Sequence, residues 1–237
     1  MAEPDDPLAR FNARRWGETP VFAGIPRLRK LAKQISRLPP GRLLDIGCGD
    51  GGFSEQFLSL GWKVFGIDLE TGQLEEARLK GIQAKGCNLM DGIPFPDGSF
   101  TAVAAGEVIE HLVDTDRLLE EAYRVLEPGG FLFLTTANLA ALNNRVRLLL
   151  GMYPNWMDYS VRDGVGHVRY YTPGILRRQL LKHGFQSLRF SSSWVPLVPT
   201  RWALCPGYPK AVFPLSFFLG DLFPSLGMEI IVACRHP

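Results

Sequence analysis

The chain lacks paired cysteines. Cys48, Cys87, Cys205 and Cys234 are scattered, with no C-x-x-C among them. Neither a disulfide framework nor a zinc-ligand spacing is expected, so no metal site is predicted, and a reducing, cytoplasmic setting follows. An excess of either charge is also missing: 26 basic and 24 acidic residues leave +2. That balance gives no electrostatic reason to expect a nucleic-acid partner. No uninterrupted apolar run reaches about 18 residues, so no spanning helix is predicted. The opening MAEPDDPLAR has no apolar centre and does not read as a secretory signal. Internal repeats are absent. Between residues 43 and 62 there is not one Lys or Arg.

What is present is an ordinary globular composition, 46% hydrophobic and 21% charged over 237 residues, enough for a sizeable core. The reading is one domain over 1–237, with an N-terminal arm and helix in 1–40. Strand and helix signals then alternate. Strands are predicted at 42–46, 62–67, 82–87, 100–106 and 131–136, the last entered through a Pro128-Gly129-Gly130 turn. Helices are predicted at 24–38, 52–60, 71–80, 114–126 with Asp114 as N-cap, 139–150 and 173–183. Strand-like runs at 185–190 and 228–234 close the chain. Such alternation implies a mostly parallel, doubly wound sheet with ligands beyond the carboxyl ends of its strands.

The first strand runs into Asp45-Ile46-Gly47-Cys48-Gly49-Asp50-Gly51-Gly52. Gly47, Gly49 and Gly52 satisfy G-x-G-x-x-G, which by itself also fits a dinucleotide fold. Charge separates the two ligands. A pyrophosphate seeks positive charge at the helix start, whereas this loop offers the carboxylates of Asp45 and Asp50 and no basic residue. S-adenosylmethionine carries an ammonium and a sulfonium instead of a phosphate, and suits such a loop. Asp68, ending the second strand, can accept from both ribose hydroxyls of either ligand. Its plainer reading is a cap for 71–80.

Five stretches, LLDIGCGDGGFSEQF, VFGIDLE, NLMDGIPFPDGSF, EVIEHL and YRVLEPGGFLFLTTAN, together resemble the class I S-adenosylmethionine-dependent methyltransferases, type-11 group, over residues 42–138. A sixth, HVRYYTPGILRRQLLKHGF, resembles the element that follows. The resemblance implies a Rossmann-like, seven-stranded sheet with an antiparallel last strand. It places Asp45, Gly47, Cys48 and Gly49 at the methionine and sulfonium of the donor, Asp68 at its ribose and Leu69 against its adenine. Asn88 and Leu89 fall at the adenine edge and Glu107 close to the donor. Two positions depart from the usual pattern: Asn88 stands where many relatives have Asp, and Thr101 where they have Asp after Phe.

Methyl transfer requires alignment and exclusion of water, and a general base only when the acceptor must lose a proton. His111 and His167 are the candidate catalytic residues, since a neutral imidazole suits proton removal near neutrality. Their alternative roles are fixing the strand-four loop and packing or capping a lid. His183 reads as a helix C-terminal residue, His236 as frayed tail, Glu110 as solvated or capping, and DTDRLLEEAYR as a solvated helix face. Segment 138–172 reads as an acceptor-side lid with Arg145, Arg147, Tyr153, Trp156, Tyr159 and Arg162; Asn138, Tyr170 and Tyr171 are its candidate acceptor contacts. Residues 194–227, apolar and rich in proline with a helix predicted at 211–223, read as a cap over the core or a homodimer contact. The other readings of that segment are a peripheral membrane contact or a lipid-binding wall. The expected activity is therefore direct in-line methylation of a small-molecule, lipid-linked or glycan-pathway acceptor (EC 2.1.1.-). The alternatives are a non-catalytic S-adenosylmethionine-binding protein and a nicotinamide-dependent oxidoreductase.

Overall fold

A computed structural model describes residues 26–155, 157, 166–197 and 212–237. Seven strands form one sheet: β1 Arg42–Ile46, β2 Lys63–Asp68, β3 Gln83–Gly86, β4 Phe100–Gly106, β5 Leu126–Ala137, β6 Gln186–Ser192 and β7 Glu229–Arg235. Their spatial order is β3-β2-β1-β4-β5-β7-β6. The first five are parallel, while β7 runs antiparallel between β5 and β6. The helices are α1 Pro26–Ile35, α2 Glu55–Leu58, α3 Leu74–Leu79, α4 Thr115–Val125, α5 Leu142–Leu149, α6 Pro173–Lys182 and α7 Val212–Leu222.

The central strands are buried on both faces, as parallel strands covered by helices must be. Leu44 and Ile46 of β1 join Val103, Leu132 and Leu134 in one core with α4 and α6. Leu43 points the other way, with Ala102, Ala104 and Phe133, into a second core built with α1, Phe57 and Ala77. The chain steps from β1 outward to β2 and β3, then returns to β4 on the other side of β1. Strand order therefore reverses between β1 and β4, and the crevice beyond their carboxyl ends is the binding position of this architecture.

The predicted strands 42–46 and 100–106 match β1 and β4 residue for residue. The helix expected over 52–60 is helical only at Glu55–Leu58, because the glycine loop extends into it. Residues 71–80 divide into a 3₁₀ turn, Thr71–Gln73, and α3. Asp114 caps α4 as expected, accepting from Arg117 N at 3.0 Å. Pro128-Gly129-Gly130 belongs to β5, but Phe100 pairs with Leu126 and Ala102 with Phe131, so residues 127–130 loop out of the ladder.

Two expectations fail here. His236 is not frayed: its N–H donates to Gly130 O at 2.9 Å, and its ring lies 4.0 Å from that of Tyr123. The charged face of α4 is not merely solvated. Buried Glu121 accepts from Ile93 N at 2.6 Å, and Arg124 reaches Ile93 O and Phe95 O, both at 2.8 Å. Asp116 faces α6, where Lys182, Gln179 and His183 donate to it and hold its carboxyl far below the usual range. His183 is the C-cap of α6, as predicted.

Candidate active site

The glycine loop leaves β1 with Gly47 N and Cys48 N both donating to Ile67 O, at 2.8 and 3.1 Å. Gly49 N donates to Asp68 Oδ2 at 2.8 Å, and Glu70 N to Asp68 Oδ1 at 2.8 Å. Asp68 thus braces the loop and caps the next turn at once. Burial raises its carboxyl above the usual range, against the two main-chain donors. Gly47 has φ 75°, and a Cβ there would lie 2.6 Å from Val108 Cγ2. Glycine is required on both counts, and the loop is clasped between β2 and the segment after β4.

The loop's charges differ from the sequence reading. Asp45 lies buried beneath it, accepting from Ser54 Oγ. Burial, reinforced by nearby Asp68 and only partly offset by Ser54, pushes its carboxyl up to about 7. Asp50 is held below the usual range, although burial opposes this, because Lys80 Nζ sits 2.7 Å from Oδ2 and Gly52 N also donates to it. Lys80 reaches the loop from α3, beyond the interval that has no basic residue. The loop is therefore less negative than its sequence implies, and Asp68 carries its accessible charge. The Cys48 thiol turns down onto Gly66 and into the core, where burial first, then the neighbouring carboxylates, hold it well above the usual range. Only the main chain of Cys48 belongs to the loop surface.

Beside Asp68, Leu69 is 62% exposed. Asp68 pairs with Gly86, and Cys87 N donates to Asp68 O at 2.8 Å, which brings the end of β3 alongside. Asn88 follows, exposed, with Oδ1 accepting from Met90 N at 3.0 Å. Its oxygen caps the 3₁₀ turn Leu89–Asp91, leaving the amide NH₂ as the polar group for a ligand. Leu89 packs half-buried against the core. An open cleft of about 500 Å³ at this edge is lined by Asn88, Pro94, Arg117 and Arg124, among others, and Gly47 is not part of its lining. At the other departure from the family pattern, Thr101 packs on Gly41 and accepts from Arg42 N at 3.4 Å.

On the far side of the crevice, Glu107 adopts φ 57°, a left-handed conformation costly for a residue with a Cβ. Its N–H donates to Thr135 O at 3.0 Å, Thr135 Oγ1 donates to Oε1 at 3.0 Å, and Arg27 Nε lies 3.6 Å away. The Glu107 side chain is thereby engaged by β5 and α1. Glu110 is not solvated. It sits in the 3₁₀ turn Ile109–His111 at 1% exposure, its carboxyl facing the Thr136 hydroxyl and the main chain of Ala137. Burial first, then the charge of Glu107, raises its carboxyl well above the usual range. His167 Nε2 lies 4.0 Å from Glu110 Oε1, and the His111 and His167 rings are 4.9 Å apart. His111 Nδ1 bonds Gly166 O at 3.0 Å. Val168 N and Arg169 N both donate to Glu110 O, at 2.8 and 3.1 Å. The two predicted catalytic histidines are therefore neighbours.

The three acceptor candidates fare differently. Asn138 is 2% exposed; its NH₂ donates to Gly227 O and Ser225 O at 2.8 and 3.2 Å, and its Oδ1 accepts from Ala140 N. It ties β5 to the approach of β7 and has no donor left for an acceptor. Tyr171 is 4% exposed in the core, its hydroxyl donating to Gln179 Oε1. Burial rather than substrate contact explains both residues. Tyr170 stays at the rim, its hydroxyl donating to His167 O at 3.0 Å. Trp156, Tyr159 and Arg162, with 198–211, lie outside the described residues. Sequence reasoning assigned no role to Arg27 and Lys80, which lie outside the motifs, or to Ser54 and Val108, which lie within them; packing brings all four to the site.

These features define a class: a Rossmann-like sheet whose glycine loop and strand-four segment enclose one crevice. Residues 44–134 match the family model described as a methyltransferase domain, the stretch in which the resemblance to the type-11 class I S-adenosylmethionine-dependent methyltransferases lies. It is similar to the mitochondrial ubiquinone biosynthesis O-methyltransferase of Homo sapiens, 33% identical over 152 residues, 54% of this chain and 41% of that protein. It is also similar to the ubiquinone biosynthesis O-methyltransferase of Xanthomonas oryzae pv. oryzae, 37% identical over 138 residues, 53% of this chain and 57% of that one. The chain thus spans about half the length of these curated relatives. A crystal structure of a Thermotoga maritima S-adenosylmethionine-dependent methyltransferase, described as a possible histamine N-methyltransferase, shares the fold with TM-score 0.65 and 21% identity, covering 97% of this chain and 98% of that one.

Proposed function

We propose that the chain is an S-adenosylmethionine-dependent methyltransferase that methylates a hydroxyl on a small acceptor. The donor would lie over Gly47–Gly49 and the acceptor beside His111 and His167. One juxtaposition carries this reading: Val108 rests on Gly47, and Glu110 and His111 follow directly in the same segment, joined by His167.

The residues fit the donor. Gly47 lets Val108 close on the loop where a Cβ would clash, and Asp68 keeps lone pairs for ribose hydroxyls after accepting two main-chain N–H groups. The Asn88 NH₂ suits an adenine ring nitrogen. A pyrophosphate fits less well, because Lys80, the cation that reaches the loop, is already bound to Asp50. When bound, S-adenosylmethionine supplies a methyl carbon activated by sulfonium; an acceptor lone pair forms the new bond to carbon while the C–S electrons return to sulfur. The chain itself must align the acceptor, an effect worth about 7–11 kcal/mol of barrier, and serve the proton that a hydroxyl releases. His111 and His167, beside Glu110, would serve that proton.

The relatives are named for O-methylation in ubiquinone biosynthesis, which supports a hydroxyl acceptor here. Exposed Leu148, Leu149, Leu150 and Met152 at the end of α5 support an acceptor with an apolar tail, or one met at a membrane surface. Calorimetric titration with S-adenosylhomocysteine, followed by labelled-methyl transfer to phenols with and without a prenyl tail, tests the proposal. Binding of NADH in place of S-adenosylhomocysteine would overturn it in favour of an oxidoreductase. Donor binding with no transfer to any hydroxyl would favour a non-catalytic binding protein.

A further inference from the structure

We propose that α1 and α7 form one surface that docks on an anionic phospholipid bilayer, α7 entering the interface and α1 meeting the headgroups. Its use, presenting the crevice to an apolar acceptor, rests on the methyl-transfer reading above; the surface itself does not.

The two helices lie side by side, α1 against β5 and β7 and α7 against β6. Lys30 of α1 fastens them: its Nζ donates to Phe217 O at 3.0 Å, to Asp221 Oδ1 at 2.7 Å and to Ser192 O at 2.7 Å. Small residues of α7 meet the protein. A Cβ on Gly220 would lie 3.0 Å from Ser192 O, and Ser216 Oγ donates to Val195 O. The large residues turn outward instead. Leu215, Phe218 and Leu222 recur at helical spacing, Phe223 follows, and all four are 47–62% exposed. Apolar side chains gathered on one exposed face mark an interaction site.

Charge decides what covers this face. α1 carries Arg27, Arg29, Lys30 and Lys33 and no acid. Arg29 and Lys33 stand exposed, and Arg37 stands exposed just beyond the helix. Asp221, the one acid of α7, is bound to Lys30. What remains exposed and charged on the two helices, with Arg37, is therefore positive. α7 alone lacks the basic face of an interfacial helix, and α1 supplies it. A second copy has no free carboxylate on these helices to offer the cations, whereas an anionic bilayer attracts them. The contact is peripheral, since no helix among the described residues is long and apolar enough to cross a membrane. It also falls at the right end of the sheet. Arg145 Nη2 donates to Ser225 O, just past α7, at 3.2 Å, and Ala137, closing β5 at the crevice end, pairs with Glu229. The surface is hidden in the sequence because its cations and its apolar residues lie near opposite ends of the chain.

The test mixes the full chain with vesicles of phosphatidylcholine, with and without phosphatidylglycerol, and follows co-sedimentation. Binding is expected to the vesicles that contain phosphatidylglycerol, with little to phosphatidylcholine alone, and to weaken as salt rises. Lys33→Gln and Arg37→Gln are each expected to lower the partition coefficient about fivefold, the effect of one cation near an anionic surface. Phe218→Ser combined with Leu222→Ser is expected to lower it at least about tenfold through lost apolar burial. Circular dichroism establishes that each variant is folded, and Leu215→Ser replaces the pair if it is not. Four results would overturn the surface: no binding to either vesicle, binding indifferent to phosphatidylglycerol, binding retained in the α1 and α7 variants but lost in Leu149→Ser with Leu150→Ser, which moves the contact to α5, or a lipid-free dimer that the α7 variant alone makes monomeric, which assigns the face to a second copy. S-adenosylhomocysteine is titrated into the same preparation: donor binding without vesicle binding rejects the surface alone, and vesicle binding without donor binding rejects the methyltransferase reading alone.

Discussion

Asp68 accepts two main-chain N–H groups at once, so its loss loosens the glycine loop and removes the acceptor for a ribose. Hydrogen bonds to a charged group are worth about 1.5–3 kcal/mol. Asp68→Ala is expected to weaken S-adenosylhomocysteine binding by at least about tenfold, measured calorimetrically; unchanged affinity would remove Asp68 from the donor site. Asp45 gives a pH signature. Its carboxyl titrates at an ordinary 3.8 when unfolded and at about 7 in the fold. Between those values the folded chain keeps a proton that the unfolded chain has lost, so stability falls as pH rises through this window. The slope from this residue is at most about 1.4 kcal/mol per pH unit. Asp45→Asn, which can still accept from Ser54, is expected to flatten it. Urea denaturation at several pH values, variant against parent, is the measurement, and parallel pH profiles would contradict the assignment. At this scale the glycines and acids were legible as a motif. Their charge states were not, because Ser54 and Lys80 act through space.

Among the elements, α4 does more than cover the sheet. Glu121 and Arg124 bind the chain between β3 and β4 by its main-chain groups, and Asp97 extends the network at 2.8 Å. The Glu121 side chain is 7% exposed and Arg124 31%, so the pair is only partly screened. Breaking a fully buried pair costs about 3–5 kcal/mol; here Glu121→Ala is expected to cost roughly 2–3 kcal/mol. Chemical denaturation reads the loss directly, and a change below about 0.5 kcal/mol would show that the network is dispensable. The helix itself was readable from its period and its Asp114 cap. Its role was not, because a charged side chain looks the same in sequence whether it meets solvent or a carbonyl. The EVIEHL segment behaves similarly: Glu110 reads as polar, yet the 3₁₀ turn carries it inward while Glu107 is engaged by Thr135 and Arg27.

For the whole molecule, no helix among the described residues is long and apolar enough to cross a membrane. Contact with an apolar acceptor would therefore fall to surface side chains. Leu149 and Leu150 are 87% and 66% exposed, and Arg145 ties α5 to Ser225 O beyond α7 at 3.2 Å. Replacing both leucines by Ser is expected to raise KM for a prenyl-tailed acceptor several-fold, at about 0.8 kcal/mol per buried methylene lost, and to leave KM for the tail-less analogue unchanged. Equal effects on both acceptors would assign the leucines another role. By itself the sequence determined the order of strands and helices, the glycine turn and the acid after the second strand, because these depend on local period, backbone freedom and residues close in the chain. Only the tertiary structure decided that strand order reverses between β1 and β4, that Asp50 is paired with Lys80, that Asn138 and Tyr171 are buried, and that His167 meets Glu110. Each of these depends on burial or on groups brought together from distant parts of the chain, and neither quantity is carried by local sequence.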